Sequence, residues 1–320
     1  MKSTEKKEQI IHFVTSRNWL VGEISCSFLA SGEYNENFLL ECNNRRYVFR
    51  INHGTQLGLQ NQIEYEYFVM DAVRDSNVTP LPYHYSLAGE KLGDGVLLME
   101  FIEGRPLDYG TDLQAAAHIF AKIHSLPVDS RLIRQHNPIT DICRESLELL
   151  NRFSPLHYHD VHTRLCKYHD ELQKLGGWKD NLFTDESLCI VNTEVNSGNF
   201  IIGAGRSCLV DWEKAVVSCR YQDLAHFLLV TTTLWKTDWR LSDEQKTSFL
   251  KYYHQTADLE LPLDEIIERT KLLERVILLR ALSWCYMAYH EYTQTDRRLS
   301  HDFTFNKITS YLNEAECFFG

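Results

Sequence analysis

The texture of this chain changes at Gly104-Arg105-Pro106, and that change limits its possible folds more than any other feature. Before it run short β-prone segments at residues 25–29, 37–42, 47–52, 83–87 and 95–101, parted by turn sequences such as Ala30-Ser31-Gly32-Glu33-Tyr34-Asn35 and Asn43-Asn44. Short apolar runs punctuated by Gly and Asn predict an antiparallel meander. A helix is expected within it at 60–74, where Ile63, Tyr67, Met70 and Val73 recur roughly one turn apart. A short amphipathic helix at 8–16 precedes the strands. After the change come long helical segments, at 112–125, 141–153, 158–175, 223–234, 243–257, 264–292 and 303–317. Several open on Asp or Ser, which N-caps prefer. One β-like patch interrupts them at 189–191, 199–202 and 207–210, with Gly203-Ala204-Gly205 turning the last two into a hairpin. The expectation is an α+β, bilobal chain. An antiparallel-sheet lobe with one helix occupies residues 1–101, and a larger, mostly helical lobe occupies 102–320. Clefts between lobes are where ligands bind.

Charge and cysteine usage narrow the function classes. The net charge is −11 and no basic tract stands out. Nucleic-acid backbones need clustered Lys and Arg, so nucleic acid is not the expected partner. Nine scattered cysteines, an odd number with no C-x-x-C pair, fit a reducing cytoplasm better than secretion. The opening Met1-Lys2-Ser3-Thr4-Glu5-Lys6-Lys7-Glu8 has no apolar stretch behind it, as a signal peptide would. No apolar run is long enough to span a bilayer, so no membrane partner is expected.

Four features carry chemistry, in one order along the chain. The turn around Gly32 lies between strands, where backbone N–H groups could cover phosphates; by itself it is an ordinary hairpin turn. Arg50 lies on the strand Tyr47-Val48-Phe49-Arg50-Ile51-Asn52, and Glu66 or Glu64 on the next helix could pair with it. The spacing to Met70 and Val73 prefers Glu66. Next comes Asn192-Thr193-Glu194-Val195-Asn196-Ser197-Gly198-Asn199, a polar loop between two apolar triplets. Polar side chains held between buried strands are expensive unless used. An acid five residues before an Asn suits phosphoryl transfer, the acid orienting the attacking hydroxyl and the amide oxygen holding a metal. Last is Leu209-Val210-Asp211-Trp212-Glu213, an apolar strand ending in an acid that would supply a hard oxygen ligand for Mg²⁺. Each of the last two alone reads as a capped turn; together and in order they read as a kinase-type site.

These residues resemble the aminoglycoside phosphotransferase and choline kinase group of small-molecule kinases, over nearly the whole chain. That resemblance implies a protein-kinase-like fold and phosphorylation of a small-molecule hydroxyl (on an amino sugar, sugar or amino alcohol) with ATP or GTP and Mg²⁺. The family's catalytic loop, His-x-Asp-x-x-x-x-Asn, aligns with Asn192-Thr193-Glu194 and Asn199. Ser197-Gly198-Asn199 and Val210-Asp211-Trp212-Glu213 are among its most specific marks. Glu194, Asn199 and Asp211 are thereby implied as catalytic, with Asn199 and Asp211 on the metal. Gly32, Arg50, Glu66, Glu100 and Ile102 are implied on the nucleotide, the last two through a hinge backbone. Asp223, in Tyr221-Gln222-Asp223-Leu224-Ala225, would brace the loop rather than touch substrate.

The chain departs from that pattern at three positions. Arg50 replaces a nucleotide-anchoring Lys and keeps its charge in a planar fork. Asn192 replaces the loop His and still donates and accepts. Glu194 replaces the catalytic Asp and extends the acid by roughly 1.5 Å. Retention of both metal ligands favours an active enzyme; the alternative is a degenerate pseudokinase that binds nucleotide as a scaffold or switch. A protein kinase fits less well, because the helical part lacks Asp-Phe-Gly and Ala-Pro-Glu. His157, His159, His162 and His169 are expected on a solvated helix face rather than on a metal. Trp235, Trp239, Trp284, Tyr286 and Tyr289 are expected in the core, although they could form an aromatic cage for a quaternary ammonium. Arg280, inside Ile277-Leu278-Leu279-Arg280-Ala281-Leu282, either pairs with an acid or faces the cleft.

Overall fold

The computed structural model describes residues 3–319 apart from 56, 88–91, 155 and 295–301. Met1 and Lys2 of the N-terminal stretch thus lie outside the described residues. In chain order the sheet-bearing part contains α1 (Ser3–Ser16), β1 (Ile24–Ser31), β2 (Asn35–Cys42), β3 (Arg45–Asn52), α2 (Gln62–Val73), β4 (Pro82–Ser86) and β5 (Gly95–Glu100). Its five strands are all antiparallel, ordered β1-β2-β3-β5-β4. Side chains alternate across a strand, so each face collects its own core. Phe49 and Ile51 of β3 join Phe38, Leu40, Val96 and Leu98 under Ile10, Phe13 and Val14 of α1. Val48, on the other face, joins Leu97 and Met99 under Ile63, Val69, Met70 and Val73 of α2. The sheet is therefore sandwiched by two helices, not accompanied by one. The N-terminal helix starts at Ser3, earlier than residue 8, and covers the face that would otherwise be exposed. Truncating a fully buried ring such as Phe49 to Ala would cost about 3–5 kcal/mol.

The helical part continues with β6 (Arg105–Pro106), α3 (Leu113–His124), α4 (Pro138–Asn151), α5 (His159–Lys179), β7 (Cys189–Val191), β8 (Phe200–Ile202), β9 (Cys208–Leu209), β10 (Val216–Ser218), α6 (Tyr221–Leu228), α7 (Val230–Lys236), α8 (Asp243–Thr256), α9 (Leu263–Tyr292) and α10 (Asp302–Asn313). The hairpin expected from the Gly203-Ala204-Gly205 turn is present as β8 and β9. Two short strands, β6 and β10, were not expected; β6 extends that hairpin and β10 pairs with β7. A single helix over 223–234 is corrected to two, because Leu229 is extended (φ −67°, ψ 136°) between α6 and α7. Similarly, α10 ends at Asn313 and a 3₁₀ turn at Ala315–Phe318 follows. Ser242 caps α8 in a full capping box with Gln245. Asp112 and Asp223 have other work: Asp112 pairs with Arg105, and Asp223 faces the polar loop. No helix among the described residues is long and apolar enough to cross a membrane.

Candidate active site

The polar loop is fixed by its neighbours before any ligand is considered. It leaves β7, whose three residues are all buried, and turns at Thr193 with φ +66°. A β-branched residue is rarely found in that region and needs surrounding structure to hold it there. Asp223 supplies that hold: Oδ2 accepts the Asn192 N–H and Oδ1 the Thr193 N–H, both at 2.8 Å. The hydroxyl of Thr193 donates to the Lys214 carbonyl at 3.0 Å. Asp223 is fully buried and its Oδ2 also meets His124 Nε2 at 3.3 Å. The fully buried Asn192 then ties the loop to the next one. Its amide donates to the Asp211 carbonyl at 2.8 Å, and its Oδ1 accepts the Glu194 N–H at 3.0 Å. Asn199, which lines the cavity, closes the loop by donating from Nδ2 to the Glu194 carbonyl at 2.6 Å.

Asp211 follows β9 and likewise has φ +66°. Glu194, Asp211 and Glu213 each offer a carboxylate oxygen, and those atoms all lie within 4.8 Å of one another. Three hard carboxylate oxygens so close together fit Mg²⁺, which prefers such donors. Glu213 is buried and accepts from Asn35 Nδ2 at 2.5 Å; Asn35 in turn accepts from Asn52 at 2.9 Å. The loop is also docked on α2. Gln62 donates to the Glu213 carbonyl at 2.7 Å, and Tyr65 Oη donates to the Ala215 carbonyl at 2.7 Å.

Arg50 is buried at the centre of this arrangement. Its Nη1 pairs with Glu66 and, at 3.0 Å, with Asp211, while Nε donates to Asn37 Oδ1 at 3.0 Å. Burial opposes the guanidinium charge, but Glu66, Asp211 and Glu213 outweigh it and hold Arg50 protonated. Burial pushes the Glu66 carboxyl up, to about 8; Arg50 opposes this, Asp211 and Glu213 add to it, and the Trp212 N–H opposes it. Glu64 points elsewhere and accepts from Tyr85 Oη at 3.0 Å.

A cavity of about 630 Å³ opens between the sheet and the helices, and Gly32, Arg50, Glu194, Asn199 and Asp211 all line it. Gly32 donates its N–H to the Asn35 carbonyl at 2.8 Å, closing the turn rather than pointing at a ligand. Glu66 lies behind Arg50. Glu100 and Ile102 are not part of this lining; the Glu100 N–H goes to the Leu81 carbonyl and its carboxylate to Arg206. The far end of the cavity contains residues expected in the core. Trp235 and Trp284 pack edge to face, with centroids 5.9 Å apart, and both line the cavity with Tyr311. Tyr286 is fully buried, as expected, whereas Trp239 is 41% exposed. Arg280 faces the cleft: it lines the cavity and donates from Nη1 to Gln222 at 3.2 Å. The histidine cluster is less solvated than expected, since His169 is buried and His162 packs on Tyr286 at 5.1 Å. The role of Glu213 was available in the sequence as the last residue of the Val210-Asp211-Trp212-Glu213 motif.

Comparison with known proteins accords with this geometry. The chain resembles Plasmodium vivax ethanolamine kinase (TM-score 0.73, 15% identity), over 97% of this chain and 86% of that one. It also resembles choline kinase from Streptococcus pneumoniae (TM-score 0.61, 17% identity, 97% and 99% covered). A third likeness is to a spectinomycin phosphotransferase in complex with ADP and spectinomycin (TM-score 0.60, 13% identity, 98% and 97% covered). No curated protein matches this chain in sequence. The fold is protein-kinase-like, and residues 25–265 match the phosphotransferase enzyme family. The chain belongs to that family.

Proposed function

We propose that this chain transfers the terminal phosphoryl group of ATP or GTP, with Mg²⁺, to a hydroxyl of a small molecule. Its structural neighbours are named for acceptors in that size range, ethanolamine, choline and spectinomycin. The observation that carries the reading is the convergence of Glu194, Asp211 and Glu213 on one point of the cavity. Phosphoryl transfer relies on positioning and electrostatics more than on covalent chemistry by the protein. Glu194 orients the acceptor hydroxyl and takes its proton as that oxygen bonds to phosphorus and the bond to the bridging oxygen breaks. Its backbone is pinned at both N–H and carbonyl, so the length of the side chain sets where the base sits. Asp211, Glu213 and Asn199 Oδ1 would hold the cation, which when bound screens charge developing on the phosphates. Arg50, aligned by Glu66, grips phosphate. Residues 1–101 and 102–320 act as the two lobes of the cleft.

The exchange of Asp for Glu at position 194 also fits a nucleotide-binding scaffold without transfer. Labelled ATP and GTP, incubated with sugars, amino sugars and amino alcohols, separate the two. Transfer by the natural chain that disappears in Glu194→Gln supports the enzyme. Nucleotide bound tightly with no transfer in either chain points to the scaffold.

A further inference from the structure

Part of the cavity wall is built from groups that suit an anion. Arg280 on α9 is only 5% exposed, yet its one described hydrogen bond runs from Nη1 to a neutral amide, Gln222 Oε1. Its Nη2 is buried and has no partner, and no carboxylate pairs with Arg280 among the described residues. A buried guanidinium without a counter-ion is costly, so a chain that keeps one has a use for it. The hydroxyls of Thr231 and Thr232 are also buried without partners, and both residues line the same cavity as Arg280. Lys236 adds a second cation, its ammonium 4.5 Å from the Phe303 ring. The acids lining the cavity, Glu33, Glu194, Asp211 and Glu213, belong to the Gly32 turn and to the two loops of the candidate active site, and Glu33 acts on the Lys236 ammonium. Arg280 is thus a cation of the cavity wall that no carboxylate neutralises among the described residues.

We infer that the acceptor carries an oxyanion, a carboxylate or phosphate, in addition to the hydroxyl that is phosphorylated. This rests on the phosphotransferase reading and specifies its substrate class. The guanidinium fork of Arg280 takes the anion in a bidentate manner, Thr231 and Thr232 donate to its remaining oxygens, and Lys236 closes on it from the side. Trp235 and Trp284 offer flat apolar faces to the carbon skeleton. A cationic group placed against Arg280 would meet a like charge that no carboxylate offsets.

Matched acceptors test this: sugar acids and hydroxy acids in one arm, sugar phosphates in another, their neutral parents in a third, and amino sugars and amino alcohols in a fourth. Transfer is measured for each, and binding is measured separately by calorimetry on Glu194→Gln. An anionic arm should exceed its neutral parents by about 10- to 100-fold in kcat/KM, and the better arm tells carboxylate from phosphate. Arg280→Met should raise the KM of the anion by a similar factor and leave the nucleotide Kd unchanged, while Arg280→Lys recovers part of the loss. Lys236→Met, nearer the surface, tests the same field if Arg280→Met fails to fold. Preference for neutral or amine acceptors, or anion binding indifferent to both variants, overturns the inference. Arg280-dependent anion binding without transfer to any acceptor refutes the phosphotransferase reading and the anion's place on an acceptor, and keeps only the anion site at Arg280.

Discussion

Tyr292 Oη donates into the carboxylate of Glu33, lying 2.8 and 3.0 Å from its two oxygens, and so joins the end of α9 to the turn between β1 and β2. A reciprocal bond lies beside it, from Tyr34 Oη to Glu291 at 3.1 Å. These bonds couple the Gly32 turn, whose Glu33 lines the cavity, to the helical part. Removing both hydroxyls in Tyr34→Phe/Tyr292→Phe should cost about 1–3 kcal/mol in total. Amide exchange at residues 31–35 should accelerate well beyond that of the β2–β3 core. Unchanged protection of the turn would show that the bonds do not restrain it.

The acid at position 194 should not tolerate shortening. Asn192 and Asn199 fix its backbone, so Glu194→Asp withdraws the carboxylate by roughly 1.5 Å. A misplacement of about 1 Å can cost on the order of a hundredfold in rate. Steady-state kinetics should show kcat falling about 10- to 100-fold with little change in nucleotide KM. Equal or higher kcat would mean that the site is built for Asp.

Asp223 is predicted to matter through the loop alone. Asp223→Ala leaves two buried backbone N–H groups without acceptors and releases Thr193 from its left-handed conformation. The expected loss is on the order of 3 kcal/mol, read as a lower denaturant midpoint, together with lost transfer. Full activity at unchanged stability would contradict the bracing role.

Much of this arrangement was legible in the sequence because it rests on local pattern. The meander follows from short apolar runs between Gly and Asn turns, and the polar loop stands out between the apolar triplets of β7, wholly buried, and β8, buried at Phe200. Spacing on α2 prefers Glu66 to Glu64 without separating them; two residues apart, they face opposite ways, one to Arg50 and the other to Tyr85. What sequence could not resolve depends on packing between elements. Helical periodicity in α9 does not separate residues facing the core from those facing the cavity, so by pattern Trp284 reads as core and Arg280 fits either an acid partner or the cleft, whereas both line the cavity. The break at Leu229 carries no Gly or Pro to announce it, and strands as short as β6 and β10 exist only through their partners.

Acid should weaken the fold through His124. Burial and the nearby Arg220 hold this imidazole below its ordinary value, while Asp223 pulls the other way. The folded state therefore binds fewer protons than the unfolded chain, whose histidine titrates near 6.5. Stability from this group is complete above about pH 6.5 and is lost as pH falls below it towards the folded value. Urea midpoints taken from pH 7.5 to 5 should decline, and His124→Gln should flatten that decline. A slope unchanged in the variant would assign the acid sensitivity elsewhere.

The central claim is that Asp211, with Glu213 and Asn199, holds one divalent cation at the phosphates. Electron paramagnetic resonance of Mn²⁺, titrated with ATP or GTP against the natural chain and Asp211→Asn, measures this directly. The account predicts one nucleotide-dependent Mn²⁺ site per chain, weakened at least about tenfold in a variant that keeps its fold. Equal binding in both chains, or no nucleotide-dependent site in the natural one, would contradict it.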